Sequence, residues 1–360
     1  MSVSSKRLHE LDGLRGIAAM WVVFYHFWGA IQERDVDWVP EWIGNLFKAG
    51  FLGVDIFFVL SGFVIMHSVS NAGASIGFIP RFMLRRSVRI DPPYWGAIAL
   101  AIILMFLKDQ FFPASDVTIP SISTVIAHLF YLQDILELKA ISSVFWTLCI
   151  EFQFYLIFCF TFFLYINLDD FKKRIFVRFC LVISIIFCFV SPVLRFSSLD
   201  FPVPGTIFPF AYEFIIGVMA YFWIQGTLSG RIIFGALLAS VIPTIYYMPL
   251  YYALTPVLVL GILFLSSKGD ALSWMRSKIM LFLGRISYSL YLIHASVGWV
   301  SLSLMMHFSG QKNNEFLTVF IFIAGVVFSI AFATIFNFLL ETPSKNFSKK
   351  FRVGKVASQC

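Results

Sequence analysis

Ten apolar runs, near 13–32, 51–70, 94–107, 144–168, 176–194, 206–225, 231–247, 250–266, 286–308 and 316–340, set the terms on which this chain can fold. About 20 apolar residues cross a bilayer as a helix, and in lipid only helices and closed barrels satisfy their own backbones. With 59% of residues apolar and only 13% charged, no soluble core can hide so much apolar surface. The expected fold is all-α and polytopic, with about ten transmembrane helices. One transmembrane domain is expected over 1–345 and a basic tail over 346–360. The start lacks a small-residue cleavage site, so the first run reads as a retained span.

The net charge of +7 raises the question of a nucleic-acid partner. Its placement answers it. With the N-terminus cytoplasmic, the inner segments collect Lys6, Arg7, the Arg81–Arg89 cluster, Lys172–Arg178, Arg231, Lys268–Arg285 and the tail, twenty of twenty-seven basic residues. That asymmetry is the positive-inside rule, so both termini are expected in the cytoplasm and no nucleic acid is implied. The tail suits ordinary contact with anionic lipid. Five cysteines show neither a CxxC pair nor disulfide spacing, and they read as buried filler. The segment 108–143 is too short to span where it turns apolar ("ISTVIAHLFYLQD"), and an interfacial or re-entrant piece is expected there.

Charges inside lipid are costly and usually mark sites. In "LDGLRGIAAMWVVFYHF", Arg15 and His26 share one helical stripe, roughly 16 Å apart. Asp55, Glu151 and Glu213 enter their spans from outside and are expected to converge with His26 at one depth. An imidazole beside a carboxylate is the unit of general acid–base catalysis. Helix packing by a satisfied polar residue is the alternative for His26, and for His294 in "ISYSLYLIHAS", which either lines a tunnel or bonds a neighbouring helix. Ser61 in "LSGF" is a nucleophile or, more simply, close helix packing. His9, His67, His128 and His307 lie at ends or in loops and receive no role.

In "RFMLRRSVRIDPPYW", four arginines fall in nine positions ahead of Asp91 and two prolines. Such a cluster is either a topology anchor or an anion site. Arg86 and Arg89 at i,i+3 turn their guanidinium forks the same way on a helix, which suits phosphate, and Arg15 is expected at the same surface. No GxSxG, HExxH, P-loop or CxxC pattern competes, and no metal is implied.

Taken in order, "LDGLRGIAA" with Arg15-x10-His26, "FLGVDIFFVLSGFVI", "RRSVRIDPPYW", "FWTLCIEFQFYL", "GRISYSLYLIH" and a terminal "ETP" give the chain its resemblance to the acyltransferase-3 family of integral-membrane acyltransferases. The resemblance implies acyl transfer, most often acetyl from acetyl-CoA, to a hydroxyl of a cell-envelope glycan such as lipopolysaccharide, exopolysaccharide or peptidoglycan. Lipochitin signals, glucans and macrolides are the other acceptors it implies. It makes His26 essential, puts coenzyme A on Arg86 and Arg89, and carries the motif glutamate onto Glu151. The sequence carries no C-terminal esterase-like domain of the kind some relatives have, so acceptor handling is expected in the spans and outer loops.

The resulting expectation is an O-acetyltransferase of the inner (cytoplasmic) membrane, with partners acyl-CoA, a glycan or lipid-linked sugar, and membrane lipids. His26 is the base, oriented by Glu151 or Asp55, and an acyl-histidine intermediate is the variant. Arg15, Arg85, Arg86 and Arg89 are expected at coenzyme A. Trp146, Tyr155, Glu213 and His294 are expected at the acceptor, with Trp146 or a backbone N–H as oxyanion donor. A transporter or flippase of a lipid-linked sugar is the rival, weakened by the lack of an internal repeat. A silent scaffold is the second rival.

Overall fold

Each of the ten runs becomes helix in the computed structural model, which describes residues 9–32, 38–70, 77–111, 118–198, 204–269, 271–309 and 314–351. The helices are α1 (His9–Ile31), α2 (Glu41–Lys48), α3 (Leu52–Ser70), α4 (Phe78–Phe111), α5 (Ile122–Leu129), α6 (Trp146–Ile166) and α7 (Asp170–Phe196). They continue as α8 (Ala211–Ile224), α9 (Gly230–Tyr247), α10 (Leu250–Lys268), α11 (Lys278–Ile293), α12 (Trp299–Ser309), α13 (Glu315–Phe336) and α14 (Thr342–Ser348). Among the described residues, nine helices are long and apolar enough to cross a membrane. The run expected at 206–225 is the shorter apolar helix Phe208–Ile224. The chain is an all-α polytopic membrane protein. Lys6, Arg7, Arg34, Lys312, Arg352, Lys355 and Cys360 lie outside the described residues.

Glycine sets how closely the central helices approach. A Cβ on Gly62 would run into the Phe214 carbonyl, and one on Gly217 into the Val59 carbonyl, so α3 and α8 pack backbone to backbone. Small residues permit this where lipid gives no hydrophobic drive for association. The lipid-facing surface carries large apolar side chains, such as Phe160 at 63% exposure and Phe316 at 87%.

One expectation about helix limits needs correction. The polar connection expected over 71–93 is largely helix, because α4 starts at Phe78 and runs through Pro92 and Pro93. The prolines deprive the Val88 and Arg89 carbonyls of their helical donors, and beside them the Ile90 carbonyl accepts from the Tyr288 hydroxyl at 3.0 Å. At the other end, helical structure continues to Phe351, with α14 packed on α4. Of the tail expected at 346–360, residues 352–360 lie outside the described residues.

The segment before α6 contains the short helix α5, and a histidine given no role ties it down. His128 is fully buried; its Nδ1 donates to the Thr124 carbonyl at 2.8 Å, and its Nε2 accepts the Ile141 N–H at 3.1 Å. Both bonds together require the neutral ring. Burial holds its pKa below the ordinary 6.5. The neutral ring therefore stabilises the segment above pH 6.5, and this contribution is lost as pH falls through the lowered folded value. Hydrogen exchange at Ile141, corrected for its intrinsic pH dependence, should accelerate on acidification and lose that response in His128→Asn. An unchanged protection factor would contradict this.

Candidate active site

Three arginines meet inside the bundle. Arg15 from α1 and Arg86 and Arg89 from α4 line one narrow cavity of about 80 Å³ together with Ser61, Glu151, Tyr155, Tyr288, Tyr291 and Glu341. The sequence expectation put these arginines at the membrane surface. α4 begins at Phe78, so Arg86 and Arg89 sit roughly 12 and 16 Å along its axis from that end. Arg85 on the same helix is exposed and does not line the cavity, because its direction around the helix differs from that of its neighbours.

Glu151 and Glu341 are held by neutral donors. Glu151 Oε1 accepts the Ser61 hydroxyl at 2.7 Å and the Tyr155 hydroxyl. Glu341 Oε2 accepts the Ser289 hydroxyl at 2.6 Å, the Ser289 N–H at 3.2 Å and Asn337 Nδ2 at 2.7 Å. Among the described residues none of the three arginines forms an ion pair, and Arg15 Nε is buried without an acceptor. Arg86 instead lies over the rings of Phe82 and Tyr155, at 5.4 and 5.5 Å. Clustered cations with donors to spare fit an anionic ligand of phosphate type. A second cavity of about 350 Å³ shares Arg86, Glu151 and Tyr155 with the first.

His26 stands apart from the carboxylates. Its Nδ1 lies 3.0 Å from the Val22 carbonyl and 3.1 Å from His294 Nε2. His294 Nδ1 in turn lies 2.8 Å from the Tyr291 carbonyl and 3.1 Å from that of Leu290. Proton positions follow from these partners. His294 must donate from Nδ1, so its Nε2 is a lone pair. His26 must then donate from Nδ1 to both of its acceptors, which leaves His26 Nε2 as a free lone pair. The Tyr291 ring stands 5.8 Å from that of His294, and its hydroxyl meets Thr147 Oγ1 at 2.9 Å on the cavity wall. Tyr291 is thus the partition between the imidazole pair and the arginine cavity.

The expected convergence of Asp55, Glu151 and Glu213 on His26 does not form. Arg195 ends α7 inside the bundle and takes two of them. Its Nη2 reaches Asp55 at 2.9 Å and its Nη1 reaches Glu213 at 2.5 Å and the Tyr212 hydroxyl at 3.0 Å. Asp55 and Glu213 are essentially inaccessible, at 1% and 0% exposure, so they hold helices α3, α7 and α8 together. Tyr155 stays with Glu151 in the arginine cavity, whereas Trp146 lines a separate groove at the start of α6.

Sequence reasoning missed Glu341, Ser289, Tyr288, Tyr291 and Thr147. Glu341 was visible as a carboxylate at the end of an apolar run. His294 and Glu341 share a further signature: each belongs to a π-helical turn, His294–Gly298 and Asn337–Glu341. Such turns widen a helix locally and occur often at functional sites.

Residues 8–338 match the family profile of the acyltransferase-3 domain, described as an acyltransferase domain. The chain is 27% identical over 305 residues to ORF330 of Acidianus two-tailed virus, whose name marks it as a candidate acetyltransferase; the match covers 78% of this chain and 80% of that one. It is 29% identical over 168 residues to the peptidoglycan O-acetyltransferase OatA of Listeria monocytogenes, covering 43% of this chain and 24% of OatA. No solved structure matches the chain.

Proposed function

The chain belongs to the acyltransferase-3 family, and from that premise we propose that it moves an acyl group, most simply acetyl, from coenzyme A to a hydroxyl of a cell-envelope glycan. The observation that carries the reading is the ordered imidazole pair beside a cluster of arginines without ion pairs. In this reading Arg15, Arg86 and Arg89 hold the phosphates of the donor. The donor's thioester end passes the Tyr291 partition toward His26. The name of the Listeria relative, a peptidoglycan O-acetyltransferase, supports a glycan acceptor.

His26 Nε2 takes the proton of the acceptor hydroxyl, and the oxygen attacks the thioester carbonyl. The C–O bond forms, the C–S bond breaks, and the leaving thiolate recovers the proton from His26. His294 does not touch the reacting atoms. It is a positioning residue, which fixes the His26 tautomer by accepting from Nδ1. The basic-residue asymmetry supports a cytoplasmic donor side and cytoplasmic termini in the inner membrane.

Purified protein in nanodiscs, given acetyl-CoA and crude envelope glycan, tests this reading. Thiol release that depends on the glycan, with acetyl appearing on it, is the expected result. A transporter would leave acetyl-CoA intact. The arginines carry a separate expectation. Arg86→Gln or Arg89→Gln removes charge-assisted hydrogen bonds of about 1.5–3 kcal/mol each, so the coenzyme A Kd rises roughly 10- to 100-fold by titration calorimetry. Arg85→Gln, outside the cavity, should leave Kd within twofold, and an equal loss there would contradict the site.

A further inference from the structure

A groove of about 470 Å³ lies where α6 begins, away from the arginine cavity. We infer that it is a carbohydrate subsite, which positions a neutral pyranose segment of the acceptor for transfer; this rests on the acyltransferase reading above.

The groove is built to a fixed shape. One wall is the turn 131–138, and the other is the stretch 204–210. Gln133 ties the first wall to α6 through Cys149 Sγ at 2.7 Å. Gln153 of α6 clamps the second, with Nε2 donating to the Gly205 carbonyl at 2.7 Å and Oε1 accepting the Ile207 N–H at 2.9 Å. The first wall carries backbone strain. Tyr131 and Glu137 have φ of 60° and 53°, a region that side chains other than glycine enter at a cost. The turn is nonetheless closed by Leu138 N–H to the Gln133 carbonyl at 2.9 Å, and it sets Asp134 and Glu137 on the groove.

The lining selects the ligand. Trp146 and Phe210, with centroids 5.1 Å apart, offer apolar ring faces. Glu137, exposed, offers a carboxylate and Thr206 a hydroxyl, while Asp134 lines the groove with its Oδ2 buried. Aromatic faces stack on the C–H face of a pyranose, and carboxylates accept from its hydroxyls. Among the described residues no basic side chain lines the groove, so its carboxylates repel the phosphates of the acyl donor. Its volume is that of a small-molecule site. The first turn of α6 carries both sites, since Trp146 lines the groove and the next residue, Thr147, lines the arginine cavity, where its hydroxyl meets Tyr291 at 2.9 Å.

The test uses the full chain in nanodiscs and neutral oligosaccharides released from the host envelope by mild acid, with binding read by saturation-transfer NMR. Saturable binding is expected, weakened at least tenfold by Glu137→Gln and by Trp146→Ala while the coenzyme A isotherm is retained. Glu137 is exposed, so its variant keeps the fold. No saturable binding to wild type, or equal binding by both variants, would overturn the subsite. If the pool binds in the groove but is never acylated, the subsite stands and the transferase reading falls. If it is acylated with unchanged KM in both variants, the reverse holds.

Discussion

Replacing Arg195 by methionine should cost about 3–5 kcal/mol of stability, the usual cost of removing one partner from a buried ion pair. Arg195 bonds Asp55 at 2.9 Å and Glu213 at 2.5 Å, and it stacks over Phe196 and Phe210 at 4.9 and 4.8 Å. Its side chain is only 13% exposed, so solvent screens these contacts little. Methionine fills the volume but leaves two carboxyl groups without counter-charge. Combining Arg195→Met with Asp55→Asn and Glu213→Gln should recover much of the loss, because the uncompensated charge is what costs. Thermal unfolding in nanodiscs reads both effects, and an unmoved midpoint for Arg195→Met would contradict the structural role given to the cluster.

The second large effect falls on catalysis. His26→Ala should lower kcat by about 10²- to 10⁴-fold, the range a positioned general base supplies. Donor affinity should change little, since His26 does not line the arginine cavity. His294→Asn should cost about tenfold, near the value of one hydrogen bond, while leaving KM for acetyl-CoA in place. Its signature is the pH profile. The Nδ1 bond at 3.1 Å fixes the His26 tautomer, so its loss should shift the acid limb of kcat, an effect that a merely structural residue would not have.

Nine of the ten expected spans were legible as long apolar helices, because an apolar run of bilayer length has few other fates. Arg15, Arg86 and Arg89 were legible as a set because α1 and α4 are regular helices with predictable faces. The extent of α4 was not, because Pro92 and Pro93 read as a break where the helix continues. The partner of His26 was hidden for a different reason. Depth counted along separate helices says nothing of azimuth, so Glu151 and Asp55 were expected beside His26, and His294 was not paired with it. Arg195 looked like an outer-loop residue, and its long side chain reaching back to Asp55 and Glu213 depends on how α7 packs beside α3 and α8. The groove at the start of α6 rests on two left-handed residues and two glutamine clamps, none of which has a sequence period.

The central claim divides donor binding from chemistry across Tyr291. The most direct measurement is steady-state transfer from radiolabelled acetyl-CoA to envelope glycan by wild type, His26→Ala and Arg89→Gln in parallel, split into kcat and KM. His26→Ala should lose kcat with donor KM kept, and Arg89→Gln should raise donor KM with kcat largely kept. Transfer at the wild-type rate by His26→Ala would contradict it.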